Sequence, residues 1–364
     1  MKNGNKEGLL ELRELLKLRP RVPLANLPTP LEPCRSLTRT LGGPAIWVKR
    51  DDLTGLATGG NKTRMFEYVF GRILEEGLDT VVAGTAVQSN YCRQLAAACA
   101  KVGLECHLLL RKVRGSQDDE IQGGLLLDLL LGAHVELMEG DDWMVQAERI
   151  RELGDRLRKE GKKVHVARVG DESNMGLYAC GYVQGLVEIV EQADAMDLKI
   201  DEIWVCSSDA TQAGLAIAIK HIESDIRLVG LPALPKPISP GWTFAECISH
   251  HGNQCAEILG LKTRLSPNEI VNVLDYVGPA YGVMTDAARE AMRLVARSEG
   301  ILLDPVYTSK LMAGLIDNVR RGVIDSNRNV VFVHTGGLPA LFAYAGELGF
   351  ETRELTVSAT AIAT

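Results

Sequence analysis

Short runs of β-branched and aliphatic residues alternate along the chain with longer stretches whose apolar side chains recur every three or four positions. The runs at 46–49, 80–83, 105–110, 134–137 and 163–167 read as strands, because each is β-rich, of strand length and set off by turn or helical sequence. Between them, 118–131 and 142–159 carry helical spacing. A second series follows, with strands at 202–206, 227–231 and 329–334 and helices at 211–222, 286–298, 309–321 and 338–348. Ahead of both, 8–18 is helical in spacing, and Pro20, Pro23, Pro28, Pro30 and Pro33 then predict an extended lead-in. A long helix through Tyr182 and Val190 carries the chain from one series to the other.

Alternation of strand and helix needs crossover connections, and crossovers lay strands parallel with helices on both faces. The chain is therefore expected to be α/β with two open parallel-sheet domains, since 364 residues exceed the size at which a single core stops growing. In such sheets ligands bind where loops leave the carboxyl ends of strands. Four glycine-rich or polar turns fall there, each opening a helix: Thr58-Gly59-Gly60-Asn61-Lys62, Gln88-Ser89-Asn90, Ser207-Ser208-Asp209-Ala210-Thr211 and His334-Thr335-Gly336-Gly337. Read alone, Lys62 is a solvated first-turn lysine, and Ser89 with Asn90 is an ordinary N-cap.

The chain is 46% apolar and 24% charged, the balance of a protein with a large interior. A net charge of -7 without a basic stripe argues against nucleic acid and for a small-molecule partner. No run approaches the roughly 20 apolar residues of a membrane span, and residues 1–19 are charged throughout rather than built as a signal peptide, so a cytoplasmic protein is expected. Eight cysteines scattered through apolar segments read as reduced core thiols. Cys247, His250, His251 and Cys255 are the tight group of possible metal ligands, but on a helix over 243–261 they spread along more than two turns, too far for one ion. No metal is expected.

Several motifs occur together in order: Lys49-Arg50-Asp51-Asp52-Leu53-Thr54-Gly55, Gly59-Gly60-Asn61-Lys62-Thr63-Arg64, Gln88-Ser89-Asn90, Asp304-Pro305-Val306-Tyr307 and His334-Thr335-Gly336-Gly337. In order and spacing they resemble the fold type II pyridoxal-phosphate enzymes that include D-cysteine desulfhydrase and 1-aminocyclopropane-1-carboxylate deaminase, relatives of the tryptophan synthase β chain. The likeness runs from about residue 23 to about residue 350. It implies a tryptophan synthase β-like fold, with 1–55 and 175–355 forming a large cofactor-binding domain, 56–174 a small domain, and 356–364 a disordered tail.

The resemblance further implies pyridoxal 5'-phosphate held by a Schiff base to Lys62, whose amine in a desolvated pocket loses its proton more easily and can then act as a base. Ser207, Ser208, Asp209, Ala210 and Thr211 would form the phosphate cup, with Asn90 also on the cofactor. Gln88, Ser89 and Asn90, with Tyr91 beside them, would receive the substrate carboxylate on a helix start, and Ser89 would also be catalytic. Tyr281 and Tyr307 would present phenols able to protonate a leaving group. Thr308 would face the pyridine nitrogen where the deaminase branch has an acid. A hydroxyl holds that proton poorly, so the ring is a weaker electron sink, which favours expelling a β-leaving group over opening an unactivated cyclopropane.

The expected activity is thus α,β-elimination from a small β-substituted amino acid, giving pyruvate, ammonia and the leaving group, and the resemblance implies a homodimer, the usual pairing of related folds. The pattern is broken at Tyr91, where a histidine is usual, at Asp209 and Met65, which replace a glycine and a lysine and make the phosphate neighbourhood more negative, and at Asp171-Glu172-Ser173-Asn174. Other cofactor chemistry (cyclopropane deamination, β-replacement or racemisation) and a non-catalytic binding module stay open alongside elimination.

Overall fold

Strands and helices alternate through residues 2–140, 142–167 and 175–350, the parts of the chain described in this computed structural model. The strands are β1 (Leu31–Pro33), β2 (Ala45–Lys49), β3 (Thr80–Ala83), β4 (Glu105–Lys112), β5 (His134–Glu139), β6 (Val164–Val166), β7 (Glu202–Cys206), β8 (Arg227–Leu231), β9 (Val271–Asn272) and β10 (Asn329–Val333). They form a six-stranded sheet in the order β1-β2-β10-β7-β8-β9 and a four-stranded sheet in the order β5-β4-β3-β6. Every pairing is parallel except that of β1 with β2. The smaller sheet is built from chain inserted between β2 and β7, so both expected parallel sheets are present.

The central strands explain themselves. β3 and β7 are buried at every position, as strands covered on both faces must be. Their bounds, and those of β8, are the ones the apolar runs predict. Two strands lay outside the expectation. β1 lies inside the proline-rich lead-in and is an edge strand, the place where a residue without an N–H is tolerated. β9 is two residues long and is held by Gln212, which donates to the Val271 carbonyl and accepts from the Asn272 amide.

Helices were shortened by the same long-range contacts. The stretch at 118–131 becomes a 3-10 turn, Gly115–Asp118, and a helix only from Gly123–Leu130. The stretch at 338–348 divides at Tyr344, whose hydroxyl donates to the Gly282 carbonyl while the Arg114 guanidinium lies 3.7 Å from its ring centre.

The helix Met175–Ala195 is largely buried and joins the chain of the smaller sheet to that of the larger. It packs closely on Ala210–His221, where a side chain at Gly214 would sit 2.2 Å from the Ala179 carbonyl oxygen. A buried ionic network fastens it to the helix Asn61–Glu75. Arg64 lies 2.9 Å from Asp51 and 2.7 Å from Glu188, Lys49 reaches Glu188 at 3.2 Å, and Tyr182 donates to Asp51 at 2.6 Å. Much of the Lys49-Arg50-Asp51-Asp52 motif thus serves to seat the helix that begins beside Lys62.

Cys255 faces Cys180 of the long helix at 3.6 Å, whereas His250 meets the ring of Trp242, so the helical Cys and His side chains engage different neighbours. Among the described residues, Glu105, His107 and His134 come close enough to share an ion, but Glu105 is already paired with His107 at 2.7 Å and with Lys162 at 2.5 Å. All eight cysteines are free and buried. No helix among the described residues is long and apolar enough to cross a membrane. The segment Asp171-Glu172-Ser173-Asn174 and the tail at 356–364 lie outside the described residues.

Candidate active site

The carboxyl ends of the two sheets meet around a cavity of about 470 Å³, within the usual range for a small-molecule site. Its wall takes Lys62 from the turn after β2, Ser89 and Asn90 from the turn after β3, Arg111 from the end of β4, Ser207, Ser208, Asp209 and Thr211 from the turn after β7, and Tyr281, Tyr307 and Thr335 from farther along the chain.

Lys62 stands in the first turn of its helix on a tightly held loop. Ala57 and Thr58 carry φ of 43° and 71°, in a region costly for residues with a side chain. Arg93 compensates, since its buried guanidinium donates to the carbonyls of Ala57 and Gly59 and to Asn90. Burial lowers the Arg93 pKa to about 10. Thr54 accepts from the Gly60 amide at 2.7 Å and donates to the Gly60 carbonyl at 2.9 Å, and the Asn61 amide donates to the Thr335 carbonyl at 3.0 Å. Here the two glycine pairs meet: a side chain at Gly336 would come within 2.6 Å of the Gly60 Cα.

Opposite this loop, the helix Ala210–His221 starts at Asp209, whose own side chain does not cap it. Its amides and the positive end of its dipole suit an anion. Ser207 accepts from the amides of Asp209 and Gln212, both at 3.2 Å, and shapes the turn. Asn61 donates to Thr211 at 3.1 Å and so links the lysine loop to the cup. The residues fit pyridoxal phosphate: hydroxyls and a helix start for the phosphate, and an amine on the same wall for the aldehyde. Asp209 is the discordant member, because it faces inward with its carboxylate 3.9 Å from Lys62 Nζ rather than pointing outward. Met65 is buried in the core and does not line the cavity, so the expected loss of a second positive charge at the phosphate does not arise.

Several expected contacts are placed elsewhere. The side chain of Gln88 accepts from the Gly124 amide at 2.7 Å and donates to the Gln122 carbonyl, off the cavity wall. Ser89 does cap its helix, accepting from the amides of Tyr91 and Cys92 at 3.1 and 3.2 Å. Those two amides are therefore not donors for a carboxylate, although the Ser89 hydroxyl lines the cavity and can still donate. Tyr91 touches the wall, but its ring packs edge-on to Phe66 and its hydroxyl lies 3.0 Å from that of Tyr178, so its bulk fills the core. Ala210 is buried beneath the wall as the first residue of its helix. Thr308 is buried off the wall as well, its hydroxyl donating to Asp304 at 2.6 Å and accepting from the Asp304 amide at 2.8 Å. Its proton is committed to Asp304, so it has only an acceptor to offer a pyridine nitrogen.

The tyrosines do come together. Their hydroxyls are 2.5 Å apart and their rings are edge to face. Burial pushes Tyr281 up to about 12 and raises Tyr307 well above the ordinary phenol value. Two residues not foreseen hold this pair. Asp304 accepts from the amides of Val306, Tyr307 and Thr308, fixing the turn that carries Tyr307. Lys310, buried, donates to the Val277 carbonyl at 2.6 Å and draws the Tyr281 loop onto its helix. Arg93 and Arg111 were also missed. Arg111 could have been found from its place at the carboxyl end of a predicted strand, whereas Arg93 and Lys310 read as ordinary helix-surface cations.

The sequence pattern of the pyridoxal-phosphate dependent enzymes matches residues 22–336. A D-cysteine desulfhydrase from Salmonella typhi is 36% identical over 335 residues, covering 89% of this chain and 96% of that protein. A solved structure described as an ACC deaminase homologue superposes with a TM-score of 0.82 at 33% identity, covering 93% of this chain and 98% of that one. A hydrogen sulfide-producing enzyme from Fusobacterium nucleatum shares the fold at a TM-score of 0.60 and 17% identity. With the pattern matched over most of its length and these relatives covered almost end to end, the chain belongs to the pyridoxal-phosphate dependent enzyme family.

Proposed function

We propose that the protein is a pyridoxal-phosphate-dependent lyase that removes the β-substituent of a small amino acid such as D-cysteine. D-cysteine and water would give pyruvate, ammonia and hydrogen sulfide. The observation that carries this reading is one cavity lined by Lys62, a hydroxyl-rich helix start and a hydrogen-bonded pair of tyrosines. Its likeness to D-cysteine desulfhydrases supports the choice of reaction.

When bound, the cofactor supplies an electron-accepting ring for the pair left by the Cα proton. The residues of this chain do the rest. Lys62 takes the Cα proton. Ser207, Ser208, Asp209 and Thr211, with the amide of Ala210, surround the phosphate, and Asn90 keeps the lysine turn against Thr335 through its own amide, 3.3 Å from the Thr335 carbonyl. Ser89 donates its hydroxyl to the substrate. Tyr281, hydrogen-bonded to Tyr307, gives its proton to the departing sulfur. Residues 1–55 and 175–355 are taken as the lobe of the larger sheet and 56–174 as that of the smaller, and a cytoplasmic homodimer completes the proposal; the eight free buried thiols support the reducing compartment.

The solved ACC deaminase homologue makes cyclopropane opening the second reading. Purified, cofactor-loaded protein incubated with D- and L-cysteine, β-chloroalanine and the cyclopropane amino acid decides between them. Pyruvate from the first three supports elimination, 2-oxobutyrate from the last supports deamination, and no keto acid from any substrate defeats both. Borohydride reduction followed by peptide mapping should place the label on Lys62.

A further inference from the structure

The mouth of the cavity is apolar where its floor is polar. The floor residues Asn61, Ser89, Thr211 and Thr335 are each 5% exposed or less. Farther out, Met144, Val283 and Ile238 line the same cavity at 55%, 42% and 37% exposure. They come from three separate segments: the first turn of the helix Trp143–Lys159, the loop after Tyr281 and the loop after β8. Large apolar side chains left singly in solvent are ordinary, but three on the wall of one cavity form a surface for an apolar part of a ligand.

That surface continues from the residue assigned to the leaving group. Val283 is two residues from Tyr281, and the loop between them is anchored by the Gly282 carbonyl, which accepts from the Tyr344 hydroxyl at 2.8 Å. A side chain at Gly282 would stand 3.7 Å from Val113, which follows β4 and is itself on the wall. Trp143 joins the wall beside Met144, and over its ring lies the Arg111 guanidinium, whose Nε–H donates to Gln146 at 2.6 Å. Of the charged groups nearby, Asp142 accepts from the amides of Met144 and Val145, and Lys236 is exposed to solvent.

We infer that the mouth takes an uncharged, apolar β-substituent, so that the enzyme prefers S-alkyl thioethers of cysteine to cysteine itself. This rests on the lyase reading proposed above and names the substrate class of the same site. Lys62 takes the Cα proton, the Cβ–S bond breaks with its electron pair leaving on sulfur, and Tyr281 protonates that sulfur, so that an alkyl thiol departs. Water converts the remaining enamine to pyruvate and ammonia. The alkyl group meets Met144, Ile238 and Val283 equally before and during bond cleavage, so the preference falls on KM and not on kcat.

The test measures pyruvate and free thiol formed by the cofactor-loaded enzyme from the S-methyl, S-ethyl, S-propyl and S-butyl derivatives of both cysteine enantiomers, with β-chloroalanine as reference. The longer members differ little in thiol acidity, so the series varies apolar bulk at nearly constant chemistry. In the native enzyme kcat/KM should rise about threefold for each added methylene, through KM. In Met144→Ser combined with Ile238→Ser the rise should flatten to less than about twofold, each rate being divided by that for β-chloroalanine in the same variant. A flat or falling series in the native enzyme, with β-chloroalanine still turned over, would overturn the inference and leave the lyase reading intact. A rise that survives both substitutions undiminished would also overturn it, by placing the alkyl group elsewhere. Absence of pyruvate from every substrate, β-chloroalanine included, defeats the lyase reading and this inference with it.

Discussion

The hydroxyls of Tyr281 and Tyr307 lie 2.5 Å apart in the cavity wall and share one hydrogen bond. We assign the outward proton to Tyr281. Tyr281→Phe should lower kcat on D-cysteine by about 10²-fold or more, the usual range for losing a general acid, and Tyr307→Phe by less. Tyr281→Phe should spare β-chloroalanine, because chloride departs without a proton. Equal losses on both substrates would mean that Tyr281 does not protonate the leaving group. Burial pushes Tyr281 up to about 12 and raises Tyr307 well above its ordinary value, so neither should produce an alkaline fall in kcat below about pH 10.

Lys310 acts on the same proton from a distance. Its donation to the Val277 carbonyl tethers the loop that presents Tyr281. Lys310→Met should leave a buried carbonyl without its partner, costing about 1–3 kcal/mol of stability, and should reduce turnover of D-cysteine more than that of β-chloroalanine. The discriminating measurement is the double variant with Tyr281→Phe. A positioning role predicts that it is little worse than Tyr281→Phe alone, while independent effects would multiply.

These residues also mark where the sequence stops being readable. The core strands were legible because β3, β7 and β8 are apolar runs whose bounds follow from local composition. The turns that carry Lys62 and Ser207 were legible as helix-opening turns at strand ends, because their glycines and hydroxyls interrupt the apolar pattern on either side. Gln88 and Thr308 were not, because their partners, the Gly124 amide and the Asp304 carboxylate, are set by the fold and not by the motif around them. Asp304 looked like part of a family signature, and it works as the anchor of a turn. Tyr91 occupied a motif position, yet its ring belongs to the core.

The network around Arg64 gives a prediction for acid stability. Burial alone would raise the Asp51 pKa, but the Arg64 guanidinium reverses the shift and holds the carboxyl below its ordinary value. A depressed carboxylate contributes stability above its unfolded pKa, near 3.9, and loses it as pH falls through the folded value. Denaturant melts should therefore show no Asp51-dependent change between pH 8 and about pH 5, and a decline below about pH 4. Asp51→Asn should cost about 3–5 kcal/mol at neutral pH by leaving Arg64 underpaired, and should make the acid decline shallower. An unchanged acid limb would show that other carboxylates govern it.

Asp209 offers the sharpest test of how the cup works. It is the N-cap residue of a helix where a phosphate is expected, its side chain does not cap that helix, and its carboxylate lies 3.9 Å from Lys62. Two like charges in one cup oppose each other, so Asp209→Asn should tighten binding of pyridoxal phosphate by on the order of tenfold. The substitution also removes a partner of the lysine, which would affect any aldehyde that bonds there. Pyridoxal, which lacks the phosphate, separates the two effects in absorbance titrations of the cofactor-free protein. A gain confined to pyridoxal phosphate assigns the repulsion to the cup, whereas equal shifts for both aldehydes assign it to Lys62. No shift for either would mean that Asp209 turns away from the phosphate when the cofactor binds, a movement its position beside Lys62 argues against.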